Sequence, residues 1–197
     1  MMIGAIILAA GRSTRMGSNK LLEALNGKPL VRHVAEAALA SKAYPVILVT
    51  GHQHESVLAA LEGLNLAFIH NADFADGLST SLKTGVAALP AEVTAVIILL
   101  GDMPLIPSAA LDQLITAFEA SPGKIAAVPV YEGDWGNPVL LSRTLFEEVA
   151  TLQGDAGARK LLNGRTEDVL EVPIASDAVL IDLDTPEALA KARFKGD

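Results

Sequence analysis

A chain of 197 residues that is 51% hydrophobic and 19% charged carries enough apolar material for a buried core, which argues against disorder. Its formal net charge of −8 argues against a broad nucleic-acid footprint, so an anion site must be local and built from a few basic side chains and backbone N–H groups. The lack of cysteine excludes disulfides, thiolate catalysis and Cys-ligated zinc or iron–sulfur centres.

Residues 3–10 are a short, continuous apolar run, the pattern of a strand covered on both faces. The run lacks the basic leader of a signal peptide and is too short for a membrane span, so a cytoplasmic protein without membrane contact is expected. It runs into Gly11-Arg12-Ser13-Thr14-Arg15-Met16-Gly17-Ser18-Asn19-Lys20, a cationic, glycine-bearing loop. Residues 30–41 read as a helix with Pro29 at its start, and 45–50 as a β-branched strand followed by Gly51. A short helix over 55–61, a strand over 66–70 and a helix over 78–89 follow, the last opening near Gly77 or Ser79. Residues 95–100, Ala-Val-Ile-Ile-Leu-Leu, form the most apolar stretch and are placed at the centre of the sheet. Beyond Gly101-Asp102-Met103-Pro104 come a helix over 108–120 with Ser108 as N-cap, a strand over 125–130 and a short strand over 139–141. Residues 145–152 and 158–162 read as helices, 179–183 as the last strand and 186–194 as the last helix. Strands alternating with helices imply one α/β domain over residues 1–197, with a mostly parallel sheet and helices on both faces.

In such sheets ligands bind outside the carboxyl ends of the strands, so the loops there carry the candidate chemistry. Gly11, Arg12, Arg15, Gly17 and Lys20 suit a polyanion, since glycine lets the backbone approach phosphate and the basic groups neutralise it. The spacing matches neither the P-loop nor the dinucleotide fingerprint, and an ordinary solvated loop shares this composition. Asp102 leaves the central strand as a carboxylate available to a hard divalent cation, although Gly-Asp-Met-Pro is also good turn chemistry. Asp182 or Asp184 offers a second carboxylate, with helix capping as the alternative use of Asp184 or Thr185. His52 and His54 lack the helical spacing of a zinc pair and read as loop residues, while His33 and His70 read as helix and strand-end residues. Trp135, in a polar loop, either stacks on a ring or anchors the loop.

Leu8-Ala-Ala-Gly-Arg-Ser-Thr-Arg-Met-Gly17 with Lys20, followed by Gly101-Asp102-Met103-Pro104, resembles the signature of the MobA-like nucleotidyltransferases. Asp76-Gly-Leu-Ser-Thr-Ser-Leu82, Gly136-Asn-Pro-Val139, Gly154-Asp-Ala-Gly-Ala-Arg159 and Asp182-Leu-Asp-Thr-Pro-Glu187 narrow the resemblance to the molybdenum cofactor cytidylyltransferase branch, which joins CTP to molybdopterin. Leu-Ala-Ala-Gly resembles the cytidylyl-transferring members, whereas the guanylyl-transferring ones read Leu-Ala-Gly-Gly. Asn137 departs from the His often found there, and resembles relatives associated with molybdenum hydroxylase maturation.

The resemblance implies a Rossmann-like nucleotidyltransferase fold and Mg²⁺-dependent transfer with release of pyrophosphate. It implies catalytic roles for Arg15, Lys20 and Asp102. Nucleotide contacts fall to Leu8, Ala9, Ala10, Gly11, Arg12, Lys20, Gly77, Ser79 and Ser81, and acceptor contacts to Asn137, Asp155 and Arg159. Asp102 and Asp184 are the implied metal ligands, and a molybdenum hydroxylase apoenzyme is an implied partner. Two other readings share these motifs: an NTP transferase acting on a sugar or polyol phosphate, and a non-catalytic maturation factor that binds the molybdenum cofactor.

Overall fold

The computed structural model describes residues 1–11 and 19–194, and leaves out the side chains of residues 186, 193 and 194. The main sheet takes β1 (Ile3–Ala9), β4 (Val46–Thr50), β5 (Ala67–His70), β6 (Ala95–Leu100), β7 (Ala126–Tyr131), β9 (Val139–Ser142) and β10 (Val169–Pro173) in the order β10-β7-β9-β6-β1-β4-β5. β8 (Asp134–Trp135) joins it through an antiparallel pairing with β7. β1 pairs in parallel with both β4 and β6, as do β4 with β5 and β7 with β10, whereas β9 runs antiparallel between β6 and β7. The expected mostly parallel α/β sheet is therefore present, with β6 fourth of the seven strands on the main path, as its composition implies.

The continuous apolar run of β1 follows from burial on both sides. Ile3, Ala5, Ile7 and Ala9 point into one core with α1 (Leu30–Leu39), α2 (His54–Ala60) and α4 (Ser108–Glu119), while Ile6 and Leu8 point into a second. That second core lies under α3 (Leu78–Ala87), α5 (Phe146–Val149) and a 3₁₀ turn at Ala158–Leu162. Each fully buried Leu or Ile contributes about 1.5–3 kcal/mol relative to exposure, so two filled faces hold the sheet. Gly85 allows the close approach of α3, because a Cβ there would lie 2.7 Å from Ile6 Cγ2.

Register decides where the loops emerge. Leu8 lies beside Leu100 and Ala9 beside Thr50, so β1, β4 and β6 end level with one another. β9 is antiparallel and starts where β6 ends, with Val139 opposite Ile98, which puts Asn137 at that same edge. The β7–β8 pairing, Val130 with Trp135, brings Trp135 there as well.

Four local expectations are corrected. Residues 179–183 are not a strand: Asp177–Leu180 form a 3₁₀ turn, and Leu183 packs with Leu25, Leu30 and Leu189 in a third apolar cluster. The run is apolar because a loop is buried there, not because a ladder exists. The last strand is β10, Val-Leu-Glu-Val-Pro, whose Glu and Pro hide its edge position from an apolar-run criterion. Ser108 is the first helical residue of α4 rather than its cap, with Pro107 preceding it and no side-chain cap bond. The helix expected over 145–152 is confined to Phe146–Val149, and 158–162 is 3₁₀.

A hairpin of β2 (Ala24–Leu25) and β3 (Lys28–Pro29) was not anticipated, though its Asn26-Gly27 turn is a strong hairpin signal. Both turn residues have positive φ, 50° and 79°. Lys28 reaches Glu36 on α1 at 2.6 Å, and Arg32 bonds the same carboxylate at 3.1 Å. The helix α6 (Pro186–Phe194) closes over the hairpin through Leu189 and Ala192.

Candidate active site

A cleft of 460 Å³ opens at the carboxyl edge of the sheet, where Leu8, Ala10 and Gly11 leave β1 and Leu100, Gly101 and Asp102 leave β6. Lys20 enters it on a 3₁₀ turn (Lys20–Leu22) that Asn19 caps, its Oδ1 accepting the Leu21 N–H at 3.1 Å. The Lys20 ammonium donates to the Asp102 carboxylate at 2.5 Å and to the Asp184 carboxylate. Burial alone would lower the Lys20 pKa. The charge of Asp102 and the hydrogen bonds to both carboxylates outweigh it, and the pKa lies above the ordinary lysine value.

The chain places these three groups from separate elements. Gly101 N–H bonds Leu8 O at 3.0 Å, so the β6 exit turns beside the β1 exit. Leu183 N–H bonds Asp102 O at 3.0 Å, which ties the segment before α6 to the Asp102 turn. Thr185 Oγ1 accepts the Ala188 N–H at 3.2 Å and so supplies the capping bond. Asp184, the residue before it, reaches Lys20. Asp182 instead lines a side pocket, and its carboxyl is raised above the usual range by burial and by the charges of Asp184 and Asp102.

Residues from further along the chain complete the lining of the cleft among the described residues. Phe74, Ala75, Gly77, Leu78 and Ser81 line it, with Asp155 at its rim. Gly77 has φ +105°, and a Cβ there would lie 2.3 Å from the Gly154 carbonyl carbon. Ser79 N–H bonds Gly154 O at 3.0 Å. The start of α3 and the Gly154–Asp155 loop are thus stitched backbone to backbone. Two smaller pockets, 220 and 230 Å³, share Leu100 with the main cleft and have Asn137 and Arg159 on their walls. Trp135 lines the first of these, and its indole N–H bonds a Glu171 carboxylate oxygen at 2.6 Å.

Of the expected nucleotide residues, Leu8, Ala10, Gly11, Lys20, Gly77 and Ser81 meet in the main cleft. Two are placed elsewhere. Ala9 points into the core on the α1 side, because side chains alternate along a strand. Ser79 and Ser81 are both buried, at 1% and 3% exposure, and of the two only Ser81 borders the cleft. Asp155, expected on the acceptor side, lines the main cleft, whereas Asn137 and Arg159 line the two smaller pockets. Arg12 and Arg15 lie outside the described residues. Sequence reasoning missed Phe74, although it stands in the loop following a strand, where the ligand rule directs attention. His52 occupies the loop after β4, whereas His54, expected in that loop, is the first residue of α2, its Nδ1 2.6 Å from Thr50 Oγ1 and its ring 4.7 Å from that of His70.

For a divalent cation the donor set fits. Asp102 and Asp184 bring two hard oxygen ligands to one point, and Mg²⁺ is commonly held by one or two carboxylates plus substrate phosphates. Among the described residues no cluster of three or more His, Cys, Asp or Glu side chains offers an all-protein cage. No helix among them is long and apolar enough to cross a membrane.

Level parallel strands feeding a cleft lined by Lys20 and Asp102, with Asp184 also on the Lys20 ammonium, are the arrangement of an α/β domain of the nucleotidyltransferase class. The MobA-like NTP transferase domain profile matches residues 5–169, and the chain belongs to that family. It is similar to the bifunctional protein GlmU of Leifsonia xyli, 35% identical over 155 residues. That match covers 75% of this chain but only 32% of the relative's length. The fold superposes on the crystal structure of Rv0371c from Mycobacterium tuberculosis with a TM-score of 0.85, 28% identity and 98% coverage of each chain. A manganese complex of that mycobacterial protein gives a TM-score of 0.81 at 27% identity, covering 100% of each chain. A nucleotidyl transferase from Methanothermobacter thermautotroptrophicus matches with a TM-score of 0.84 and 26% identity, over 98% of this chain and 97% of that one.

Proposed function

We propose that residues 1–197 act as a single Mg²⁺-dependent cytidylyltransferase domain that moves CMP from CTP to molybdopterin. The observation that carries this reading is the convergence of Asp102 and Asp184 on Lys20, with Lys20 and Asp102 lining a 460 Å³ cleft whose walls also include Phe74, Gly77 and Ser81. On this reading the triphosphate lies at Lys20 and Asp102, and the base lies by Phe74, Gly77 and Ser81. An oxygen of the acceptor's terminal phosphate attacks the α-phosphorus in line, the bond from α-phosphorus to the bridging oxygen breaks, and pyrophosphate leaves.

Little covalent chemistry falls to the protein, so catalysis rests on positioning and charge stabilisation. Lys20 neutralises charge on the phosphates, with Arg12 and Arg15 assigned the same task. Asp102 and Asp184 would hold the cation, which would supply Lewis-acid stabilisation of charge on the triphosphate. Asn137, Asp155 and Arg159 are assigned to the acceptor, with Arg159 pairing its phosphate. The product on this reading passes to a molybdenum hydroxylase apoenzyme in the cytoplasm.

The test incubates the protein with Mg²⁺, each of the four NTPs and molybdopterin, and measures pyrophosphate. Release with CTP is expected. Preference for GTP refutes the base assignment, and release only with a sugar or polyol phosphate refutes the acceptor. Binding of the molybdenum cofactor without turnover would identify a maturation factor. Asp102→Ala is expected to lower kcat by about a thousandfold or more, since it removes a cation ligand. Near-normal turnover would overturn the metal assignment.

A further inference from the structure

A hydroxyl on the cleft wall has its polarity set from behind. Asn71, the residue following β5, is 3% exposed and does not line the cleft. Its Oδ1 accepts the Asp73 N–H at 3.0 Å. That bond identifies the oxygen end of the amide, so the other end is the NH₂ donor. Nδ2 donates to Thr80 Oγ1 at 2.8 Å and to Ser81 Oγ at 3.0 Å. Both hydroxyls therefore accept from Asn71 and keep their own hydrogens to give elsewhere. Thr80 gives its hydrogen to the backbone, with the Gly77 and Asp73 carbonyls at 2.9 and 3.0 Å. Ser81 makes no such donation among the described residues, and it lines the cleft. A serine hydroxyl has one hydrogen, and here the remaining direction is the cavity.

We propose that Asn71 is a positioning residue that holds Ser81 as a hydrogen-bond donor toward an acceptor atom of the nucleobase, of the kind a pyrimidine carbonyl oxygen presents. The inference deepens the cytidylyltransferase reading and rests on it for the ligand; the acceptor substrate plays no part in it. Asn71 touches the backbone and two hydroxyls of its own loop and helix, and acts on the base only through Ser81.

The substitution Asn71→Asp separates this role from simple packing. A carboxylate still accepts the Asp73 N–H but no longer donates to Ser81, so the Ser81 hydrogen turns inward and a lone pair faces the base. Mg²⁺–CTP binding is measured by calorimetry without acceptor, for wild type, Ser81→Ala, Asn71→Asp and the double variant, each checked by thermal unfolding. Losing the donor leaves a desolvated base acceptor unpaired, so Ser81→Ala and Asn71→Asp are each expected to weaken binding about tenfold. The double variant is expected to bind no more weakly than Asn71→Asp, because the hydroxyl has already been withdrawn. In steady state, KM for CTP rises with kcat within about twofold, whereas a general loosening of the site lowers kcat as well.

Wild-type affinity in Asn71→Asp, or losses that add in the double variant, overturn the proposal. Ser81→Ala removes a single buried atom and reports even where Asn71→Asp does not fold; unchanged binding in it is also fatal. The expected pattern without pyrophosphate release from molybdopterin supports the role of Asn71 while overturning the acceptor. A wild type that binds none of the NTPs overturns both.

Discussion

Lys20 sits where two carboxylates would otherwise face each other. Its ammonium contacts Asp102 and Asp184, whose side chains are only 15% and 27% exposed. Removing it without adding a cation leaves two partly buried like charges at close quarters. Lys20→Met is therefore expected to unfold at lower temperature than the wild type in EDTA. Added Mg²⁺ should raise its Tm more than it raises that of the wild type, where the ammonium competes for the same oxygens. Thermal scans with and without Mg²⁺ measure this, and equal Mg²⁺ responses would count against a shared position. The reason Asp184 rather than Asp182 takes this place is also a residue-scale matter. Thr185 carries the cap bond to Ala188 N–H, which leaves the Asp184 carboxylate for Lys20. Thr185→Ala is expected to cost about 1 kcal/mol by chemical denaturation and to raise the KM for metal more than that for nucleotide.

At the scale of elements, short segments are stitched to their neighbours by few bonds, each open to test. The β2–β3 hairpin leans on α1 through Glu36, which takes Lys28 at 2.6 Å and Arg32 at 3.1 Å. The hydrogen bond from Lys28 is the largest cause holding the Glu36 carboxyl below its ordinary pKa, with Arg32 adding to it. A carboxylate whose folded pKa is depressed contributes stability above its unfolded pKa and loses that contribution as pH falls through the folded value. Glu36→Gln is expected to cost about 0.5 kcal/mol at pH 7, the scale of a solvent-screened pair. The difference from wild type should vanish in acid once Glu36 is protonated in both states, as urea titrations across pH would show. A difference that persists unchanged in acid would assign the effect to packing. Other elements were legible from the chain because they bury a continuous or periodic apolar pattern: β1, β4, β6, α1 and α3 appear within a residue or two of their expected bounds. β10 and the 179–183 loop exchanged roles because an apolar run reports burial and says nothing about whether a ladder partner is present.

Across the whole molecule, the sheet separates two cores and delivers the loops after β1, β4 and β6, together with Asn137 at the start of β9, to one edge. The cleft is a consequence of that register, so damage to the central strands should reach it indirectly. Leu140 is fully buried in β9 between β6 and β7. Leu140→Ala is expected to cost 2–5 kcal/mol, within the range of large-to-small core substitutions. Denaturant unfolding measures the loss, and a cost under about 1 kcal/mol would mean that the site collapses without a cavity.

The sequence by itself determined the α/β class, most of the strands that carry the core and the family signature from Leu8 to Lys20. It did so because apolar periodicity encodes which faces are buried, and because the motifs recur in the order and spacing of the family. Only the tertiary structure decided that Asp184 and not Asp182 meets Lys20, that Ala9 and Ser79 do not border the cleft, and that Asn71 stands behind Ser81. Those are choices among hydrogen-bond partners brought together across the fold. Chain spacing puts a residue on a face or at an edge, but which donor meets which acceptor depends on crossings and registers that exist only once the sheet has closed around its two cores.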